Sequence, residues 1–272
     1  MMKIEDGCNM NFGSLFSGIG GIDLGLERAG MACCWQVDND DFCLKVLNKR
    51  WPNVPKYGDI RDVGKENLET VDLIAGGFPC QPFSVAGKRR GTKDDRHLWP
   101  EMLRVISELK PTWVLGENVP GIIPLFLDQA ISDLEAEVYT CTPIVLPACA
   151  FDAPHERSRV FIIAYSTSGT CNMDELSRKE GFDISRISPG GIITNSDSKG
   201  LQGESIREIQ NIQPTKRNSE YYWEPLTVEP TIRGMDDGVP DRVDRSRMLG
   251  EAVVPQVAEF IGRIIMEANQ HV

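Results

Sequence analysis

Apolar residues along the first 165 positions alternate between short continuous runs and longer segments with helical spacing. The short runs predict strands at residues 11–16, 33–37, 73–75, 113–116 and 160–165. The longer segments predict helices at residues 22–29, 41–50, 99–109 and 122–137. Gly30 supplies a natural stop for the first helix. Strands that alternate with helices predict an α/β fold built on a doubly wound, mostly parallel sheet.

The character of the chain changes after residue 165. Residues 166–236 are rich in Ser, Gly, Asn, Thr and Pro and show little periodicity, which indicates a long irregular insert. Helical spacing returns at residues 253–266. We therefore expect three parts: a first domain at 1–165, the insert at 166–236, and a C-terminal segment at 237–272 that returns to the first domain.

The composition is that of an ordinary globular protein. Of 272 residues, 41% are hydrophobic and 25% are charged, which is enough for one sizeable core. The eight cysteines contain no C-x-x-C pair and the three histidines lie far apart, so no metal site is expected. No apolar run approaches the roughly 20 residues of a membrane span, and the N-terminus lacks the apolar core of a signal peptide. We expect a cytoplasmic protein without a membrane partner.

The net charge of −11 argues against a protein that binds nucleic acid through a globally basic surface. Local basic patches can still bind DNA within an acidic protein. Basic residues cluster at 88–96, at 157–159 and at 233–247. A solvated charged face is the alternative interpretation, but two of these clusters adjoin residues with candidate chemistry.

Cys80 is the most informative single residue. It follows an apolar run, the glycine pair at 76–77 and Phe78-Pro79, and it is followed by Gln81 and Pro82. This layout predicts a thiol on a tight turn at the carboxyl end of a strand, where open α/β sheets bind their ligands. A thiol in that position is a candidate nucleophile. A buried cysteine beside a tight turn is the alternative.

Three segments in order indicate an adenosine-containing cofactor. Residues 16–21 form a glycine-rich turn between a strand and a helix, where a ligand can approach the backbone. Asp38 ends the second strand and can accept hydrogen bonds from ribose hydroxyls. Asp59 and Ile60 could accept from an adenine amino group and pack on its ring. A tight packing turn is the commoner explanation of the glycine-rich turn taken alone, and the order of the three segments is what points to the cofactor.

Glu117 and an arginine pair complete the candidate chemistry. Glu117 follows a short strand, and burial at the cleft edge would favour its protonated form; a helix-start carboxylate is the alternative. If Arg157 and Arg159 lie in a strand, their guanidinium groups share one face and suit binding of carbonyl oxygens or phosphates. A surface stripe of ion pairs is the alternative for this pair.

These motifs, in this order, closely resemble those of the C5-cytosine-specific DNA methyltransferase family of prokaryotes and phages. The resemblance covers nearly all of residues 11–165 and again about 237–265. Residues 16–21 resemble the family's cofactor motif, Pro79-Cys80-Gln81 its Pro-Cys motif, and 117–119 its Glu-Asn-Val motif. Residues 155–159 align with its Q-x-R-x-R motif and 250–256 with its final motif, except that His155 and Glu251 stand where Gln and Asn are usual.

The resemblance implies an S-adenosylmethionine-dependent, Rossmann-like fold and a reaction on a cytosine flipped out of duplex DNA. It implies that Cys80 attacks C6, Glu117 protonates or hydrogen-bonds N3, Arg159 holds O2 and Arg157 supports the site. Cofactor contacts are implied for Phe16, Ser17, Gly18, Ile19, Gly20, Gly21, Asp38, Asp59, Ile60, Gly77, Pro79, Leu98, Ala252 and Val253. DNA contacts are implied for Gln81, Ser84, Lys88, Arg89 and Arg90.

The resemblance further implies that loop 84–96 closes over double-stranded DNA and that the insert is a small target-recognition region. It favours a monomer on DNA in the cytoplasm of a bacterium or a phage host, with a restriction endonuclease as a possible partner. Three alternatives stay open: a tRNA cytosine-5 methyltransferase on the same scaffold, a catalytically inactive DNA-binding paralogue, and a nicotinamide oxidoreductase. The last is suggested only by the glycine-rich turn and leaves Cys80 and Glu117 without a role.

Overall fold

The computed structural model describes residues 10–79, 98–151, 153–167 and 252–270. Its strands are β1 (Asn11–Leu15), β2 (Ala32–Val37), β3 (Lys56–Tyr57), β4 (Leu73–Gly77), β5 (Trp113–Asn118), β6 (Tyr139–Leu146) and β7 (Arg159–Ser166). Its α-helices are α1 (Gly21–Arg28), α2 (Asp41–Arg50), α3 (Trp99–Leu109), α4 (Asp128–Ala136) and α5 (Pro255–Asn269). In these ranges no helix is long and apolar enough to cross a membrane.

The strands form one seven-stranded sheet in the order β3-β2-β1-β4-β5-β7-β6. All neighbours from β3 to β5 are parallel, whereas β7 runs antiparallel to both β5 and β6. The expected α/β fold with a mostly parallel sheet is confirmed. The antiparallel edge arises because β6 and β7 are joined directly, without the crossover helix that a parallel pair requires.

The sheet is doubly wound, since apolar side chains of its central strands pack on both faces. In β5, Val114 faces one core while Trp113 and Leu115 face the other. The first core is completed by α3 and α4, and the second by α1 and α5. Because both faces are covered, the central strands β4 and β5 begin with continuous apolar runs, which is why they were predictable.

The last described helix, α5, packs closely on α1. A side chain at Gly25 would meet the Pro255 carbonyl and the Ala258 methyl group, and a Cβ at Gly262 would lie 2.8 Å from that of Ala29. Glycine is therefore required on both helices at this contact. The packing brings the backbone before α5, at Val253, against Gly21 at the start of α1.

The structure differs from the sequence expectations in three places. Strand β6 was not predicted, and neither was the short strand β3. The helix expected at 122–137 is instead a 3-10 turn at Pro120–Ile122, a π-helical turn at Ile123–Leu127, and α4. The proline at position 124 lacks the backbone N–H of a regular α-helix, which accounts for the irregular turns.

Candidate active site

The carboxyl ends of β1, β2, β4 and β5 open into one cavity of about 450 Å³. This is the edge at which open α/β sheets bind ligands. Most of the wall comes from the segments directly after these strands, and Arg159, Ala252 and Val253 complete it. The lining residues are Phe16, Ser17, Gly18, Ile19, Gly21, Ile22, Asp38, Asn39, Asp40, Cys43, Gly77, Phe78, Pro79, Glu117, Asn118, Val119, Arg159, Ala252 and Val253.

Residues 16–21, called the glycine turn below, leave β1 through backbone conformations that side chains disfavour. Phe16, Gly18 and Gly20 have φ values of 52°, 56° and 81°. A side chain at Gly20 would also collide with the Trp51 ring. Ser17 anchors the turn, because its N–H donates to the Val37 carbonyl at 3.1 Å and its Oγ donates to the Ser14 carbonyl at 3.2 Å. The turn is thus held to the end of β2.

Asp38 fastens the glycine turn from the other side. Its Oδ2 accepts from the Gly18 N–H at 2.7 Å, and its Oδ1 accepts from the Asp40 N–H at 2.9 Å. Burial raises the pKa of Asp38 above its ordinary value, and these backbone hydrogen bonds oppose the rise. A carboxylate has about four acceptor sites, so Asp38 retains capacity for a ligand hydroxyl group.

Glu117 lies near the end of β5 with its side chain 10% exposed. Arg159 Nε donates to Glu117 Oε1 at 2.9 Å. Burial raises the pKa of Glu117 to about 7, although the charges of Arg159 and Arg157 oppose this. Gly77 on neighbouring β4 makes room for the carboxyl, since a Cβ there would lie 2.7 Å from Oε2.

Asn118 connects β5 to the chain that leads to Cys80. Its Nδ2 donates to the Phe78 carbonyl at 2.9 Å, and its Oδ1 accepts from the Val119 N–H at 2.9 Å. Phe78 in turn packs on Trp99, with ring centroids 4.8 Å apart. Sequence reasoning misses Asn118 as a site residue, although its place directly after Glu117 is a usable signal.

The expectation that Arg157 and Arg159 share one strand face is wrong. Strand β7 begins at Arg159, and Arg157 has a φ of 35°, so the two-residue repeat of a strand does not relate them. Arg157 Nη2 donates to the Ala252 carbonyl at 2.6 Å. Arg157 therefore contacts the segment before α5, and Arg159 is the arginine that lines the cavity.

Several expected site residues lie away from the cavity wall. Ile60 is 3% exposed within the first core, and Asp59 caps the 3-10 turn Ile60–Asp62 by accepting from the Arg61 N–H at 2.9 Å. Leu98 packs against the same core before α3. Gly20 turns the backbone without lining the cavity. Cys80, Gln81, Ser84, Lys88, Arg89, Arg90 and Glu251 lie outside the described residues, as does nearly all of the region 166–236.

The arrangement combines a ligand pocket with an acid at one edge. The glycine turn offers backbone groups and Asp38 offers an acceptor at one end of the cavity. At the other end, Glu117 has a pKa at which it can give up or take a proton near neutral pH. Pro79, the residue before Cys80, also lines this cavity.

Comparison with known proteins places the chain in a family. The C-5 cytosine-specific DNA methylase family matches residues 10–236. The chain is 35% identical over 158 residues to the type II methyltransferase M.HgiCII of Herpetosiphon aurantiacus, covering 56% of this chain and 36% of the relative. It is 35% identical over 184 residues to the type II methyltransferase M.AquIA of Picosynechococcus, covering 60% of this chain and 74% of the relative.

A solved structure agrees in fold. It is an Escherichia coli prophage protein provisionally assigned as a DNA modification methyltransferase, at 30% identity and a TM-score of 0.50, with 59% of this chain and 47% of that chain covered. The chain thus spans about a third to a half of M.HgiCII and of the prophage protein, and about three quarters of M.AquIA. The family match covers well over half of the sequence, and the chain belongs to the C-5 cytosine-specific DNA methylase family.

Proposed function

We propose that the chain is a DNA (cytosine-5)-methyltransferase. It transfers the methyl group of S-adenosylmethionine to C5 of a cytosine that is flipped out of a specific duplex DNA sequence. Family membership supports the reaction class, and the two bacterial relatives described above are type II methyltransferases.

One observation carries the proposal: Glu117, a buried carboxyl with a raised pKa, lies at the edge of the cavity whose wall includes Pro79. The carboxyl has a pKa of about 7 and is oriented by Arg159. Cytosine C5 is a poor nucleophile until N3 is protonated or hydrogen-bonded and C6 is attacked. A buried acid that lines the same cavity as the residue before Cys80 suits this requirement.

The residues of the cavity fit S-adenosylmethionine. Its volume of about 450 Å³ falls within the roughly 300–1,000 Å³ of small-molecule sites. The glycine turn would hold the cofactor through backbone groups, Asp38 would accept from its ribose, and Ala252 with Val253 would close the far wall. Asp59, Ile60 and Leu98 remain proposed contacts on the resemblance alone. When bound there, the cofactor supplies an electrophilic methyl group.

The protein's own residues perform the remaining steps. The Cys80 thiolate forms a bond to C6, and Glu117 gives its proton to N3, so that electron density moves to C5. C5 would then bond to the methyl group, and the electron pair of the broken methyl–sulfur bond would stay on the sulfur of the departing cofactor product. Loss of the C5 proton to water returns an electron pair to the ring, and the Cys80 sulfur leaves from C6 with its bonding pair. N3 then gives its proton back to Glu117, which restores the starting state. Arg159 would hold O2, and positive charge nearby would favour the thiolate.

The target carbon is inaccessible inside a duplex, so the base must leave the stack. We assign the closing of the site over the DNA to loop 84–96, with phosphate contacts from Lys88, Arg89 and Arg90. Sequence recognition is assigned to the region 166–236 and further contacts to Gln81 and Ser84. The enzyme would act as a monomer in the cytoplasm of a bacterium or phage host, within a restriction-modification system if a cognate endonuclease accompanies it.

The reaction is tested by covalent trapping on duplex DNA that contains 5-fluorocytosine. Fluorine at C5 cannot leave as a proton does, so we expect a stable protein–DNA adduct in the presence of S-adenosylmethionine. The adduct should disappear in Cys80→Ala and persist in Cys149→Ala, whose thiol is exposed and does not line the cavity. No adduct with the wild-type protein would favour the inactive DNA-binding paralogue.

Transfer of a labelled methyl group to duplex DNA or to tRNA separates the two possible nucleic acids. We expect transfer to duplex DNA, and transfer to tRNA alone would refute the proposed substrate. Bisulfite sequencing of host DNA after expression would then identify the recognition sequence.

A further inference from the structure

A polar cluster lies inside the otherwise apolar core between α1 and the sheet. It consists of Ser14 on β1, Gln36 on β2 and Asp23 in the first turn of α1, and is called the Asp23 cluster below. The three side chains are 1%, 0% and 0% exposed, in that order. Their surroundings include Phe12, Leu26 and other members of the second core. Polar groups so deeply buried require hydrogen-bond partners, and Asp23 is a partner of both Ser14 and Gln36.

Asp23 bridges the two strands below the glycine turn. Ser14 and Gln36 are paired in the parallel β1–β2 register, so their side chains can reach the same carboxyl. Ser14 Oγ donates to Asp23 Oδ2 at 3.0 Å, and Gln36 Nε2 donates to Asp23 Oδ1 at 2.7 Å. Each oxygen of the carboxylate is thus used by a different strand. Gln36 Oε1 has no hydrogen-bond partner among the described residues.

The same two strand ends continue directly into the cavity wall. The Ser14 carbonyl accepts from Ser17 Oγ at 3.2 Å. Beyond Gln36, the Val37 carbonyl accepts from the Ser17 N–H at 3.1 Å, and Asp38 accepts from the Gly18 N–H at 2.7 Å. The contacts therefore close a ring that runs from Asp23 through β1 to the glycine turn and returns through β2.

A structural role alone does not explain an acid at this position. Burial raises the pKa of Asp23 to about 6, while the hydrogen bonds from Gln36 and Ser14 oppose the rise. Glu27 on the same helix raises it further, and Cys33 on β2 and Lys56 on β3 are the other titratable groups with charge interactions there. The folded protein binds this proton more tightly than the unfolded chain does, so stability falls as pH rises from about 4 to about 6. Above that range the ionised carboxylate is a net cost that an asparagine of equal size would avoid.

We propose that Asp23 is a positioning residue for the cofactor site, which holds the ends of β1 and β2 at the spacing where Ser17, Gly18 and Asp38 meet. The inference rests on the proposed use of S-adenosylmethionine. The affinity for this cofactor then depends on Asp23, whose carboxylate lines no part of the cavity.

The test is equilibrium binding of S-adenosylmethionine to Asp23→Asn, measured by isothermal titration calorimetry on the full chain. Asparagine is neutral and offers one acceptor oxygen and one donor NH2 group in place of two acceptor oxygens, so the hydrogen bonds of Ser14 and Gln36 to a charged group are lost. We expect binding at pH 7.5 to be about tenfold weaker. The midpoint of thermal unfolding should be unchanged or higher at this pH, because the buried charge is gone. If Asp23 had a structural role only, Asp23→Asn would instead lower the stability of the protein and leave its affinity for S-adenosylmethionine unchanged.

Asp72→Asn is the matched control. Asp72 Oδ2 accepts from the Asn11 N–H at 2.8 Å, so this carboxylate also holds β1, but at the end remote from the glycine turn. We expect cofactor affinity within about twofold of wild type. Ser14→Ala removes the hydroxyl that donates to Asp23 and adds no new polar group. It can replace Asp23→Asn in the binding measurement if that variant does not fold. Wild-type affinity in Ser14→Ala would then overturn the inference.

The pH dependence gives a second readout. Protonation of Asp23 at pH 5 removes the charge in the wild type. The ratio of the wild-type affinity for S-adenosylmethionine to that of Asp23→Asn should therefore fall from about tenfold at pH 7.5 to about twofold at pH 5. Asp38 titrates in both proteins and cancels in this ratio. Equal affinities at pH 7.5 would overturn the inference, and a wild-type protein that never binds S-adenosylmethionine would instead overturn the proposed function.

Discussion

At the scale of single residues, the proposed chemistry depends most directly on the carboxyl of Glu117. Burial raises its pKa to about 7, and Arg159 orients it through Oε1. A general acid works best when its pKa lies near the working pH. Glu117 therefore combines a fixed position with a proton that is available at neutral pH.

Replacing Glu117 with glutamine should slow methyl transfer and leave DNA binding almost unchanged. Glutamine keeps the size of the side chain and can hydrogen-bond N3, but it has no proton to transfer. We expect the single-turnover rate to fall by about 10²- to 10⁴-fold. Glu108→Gln is the control, since Glu108 is a partly exposed ion-pair partner of Arg104 on α3. An unchanged rate in Glu117→Gln would show that the proton role is misassigned.

The pH profile should carry the signature of the same carboxyl. Glu117 loses its proton as pH rises through about 7, so the acid form disappears on the alkaline side. The Cys80 thiolate becomes more abundant in the same direction, but it does so equally in wild type and Glu117→Gln. The ratio of their single-turnover rates should therefore fall as pH rises from about 6 to about 8. A ratio that does not change with pH would exclude a titrating Glu117.

The sequence identified the candidate residues better than it identified their contacts. Asp38 was predictable as the acid at the end of β2, but its hydrogen bond to the Gly18 backbone depends on the path of the glycine turn. Arg157 and Arg159 are two residues apart. If β7 had begun before Arg157, the alternation of side chains along a strand would have placed both on the same face. The left-handed backbone of Arg157 separates them instead, and side-chain type gives no signal for it.

At the scale of elements, the contact of α1 with α5 supports the glycine turn from behind. Gly25 and Gly262 let the helices approach, and this approach places Val253 against Gly21. Overpacking in a close contact displaces backbone as well as side chains. Damage to this pair of helices should therefore reach the cavity wall.

Gly25→Ala should destabilise the protein. Its methyl group would lie 2.5 Å from the Ala258 Cβ and would contact the Pro255 carbonyl. We expect the free energy of unfolding to decrease by about 1–3 kcal/mol, measured by urea denaturation. Gly58→Ala is the matched control, because nothing lies within 4 Å of a Cβ at that position. Equal effects of the two substitutions would contradict the close helix contact.

Elements that are buried on both faces were predictable, and edge elements were not. Residues 160–165 form an unbroken apolar run and were predicted as the strand that became β7. Strand β6 contains Thr140, Thr142 and Pro143, which interrupt its apolar pattern. A proline is tolerated there because β6 pairs on one side only, at the edge of the sheet. Its pairing joins Leu146 to Arg159 and Tyr139 to Ser166 across the β6–β7 connection, which a pattern of neighbouring residues does not encode.

At the scale of the whole molecule, an acidic protein is proposed to bind a polyanion. The net charge of −11 makes non-specific attraction to DNA unfavourable. Affinity must then come from local basic groups, of which loop 84–96 carries the densest set. This arrangement should suppress binding away from the target sequence.

Replacing Lys88, Arg89 and Arg90 together with alanine should weaken DNA binding across all sequences. Each lost phosphate contact lowers the magnitude of the slope of log affinity against log salt by about 1. We expect a decrease of up to about 3 for the triple variant, measured by fluorescence anisotropy at several salt concentrations. Replacing Lys65 and Lys110 is the control, because these residues precede β4 and β5 at the edge of the sheet opposite the cavity. Equal slopes in the triple variant and the wild type would remove the loop from the interface.

The cavity joins residues from distant parts of the chain: Phe16 and Gly18 on one wall and Ala252 and Val253 on another. A polypeptide still on the ribosome that has not reached position 252 already contains the glycine turn and Glu117. It lacks the part of the cavity wall that Ala252 and Val253 form. We therefore expect the proposed methyl transfer to require a chain that extends through Ala252 and Val253. A translation product that ends before Ala252 should lack the proposed methyl transfer, even if it still binds DNA.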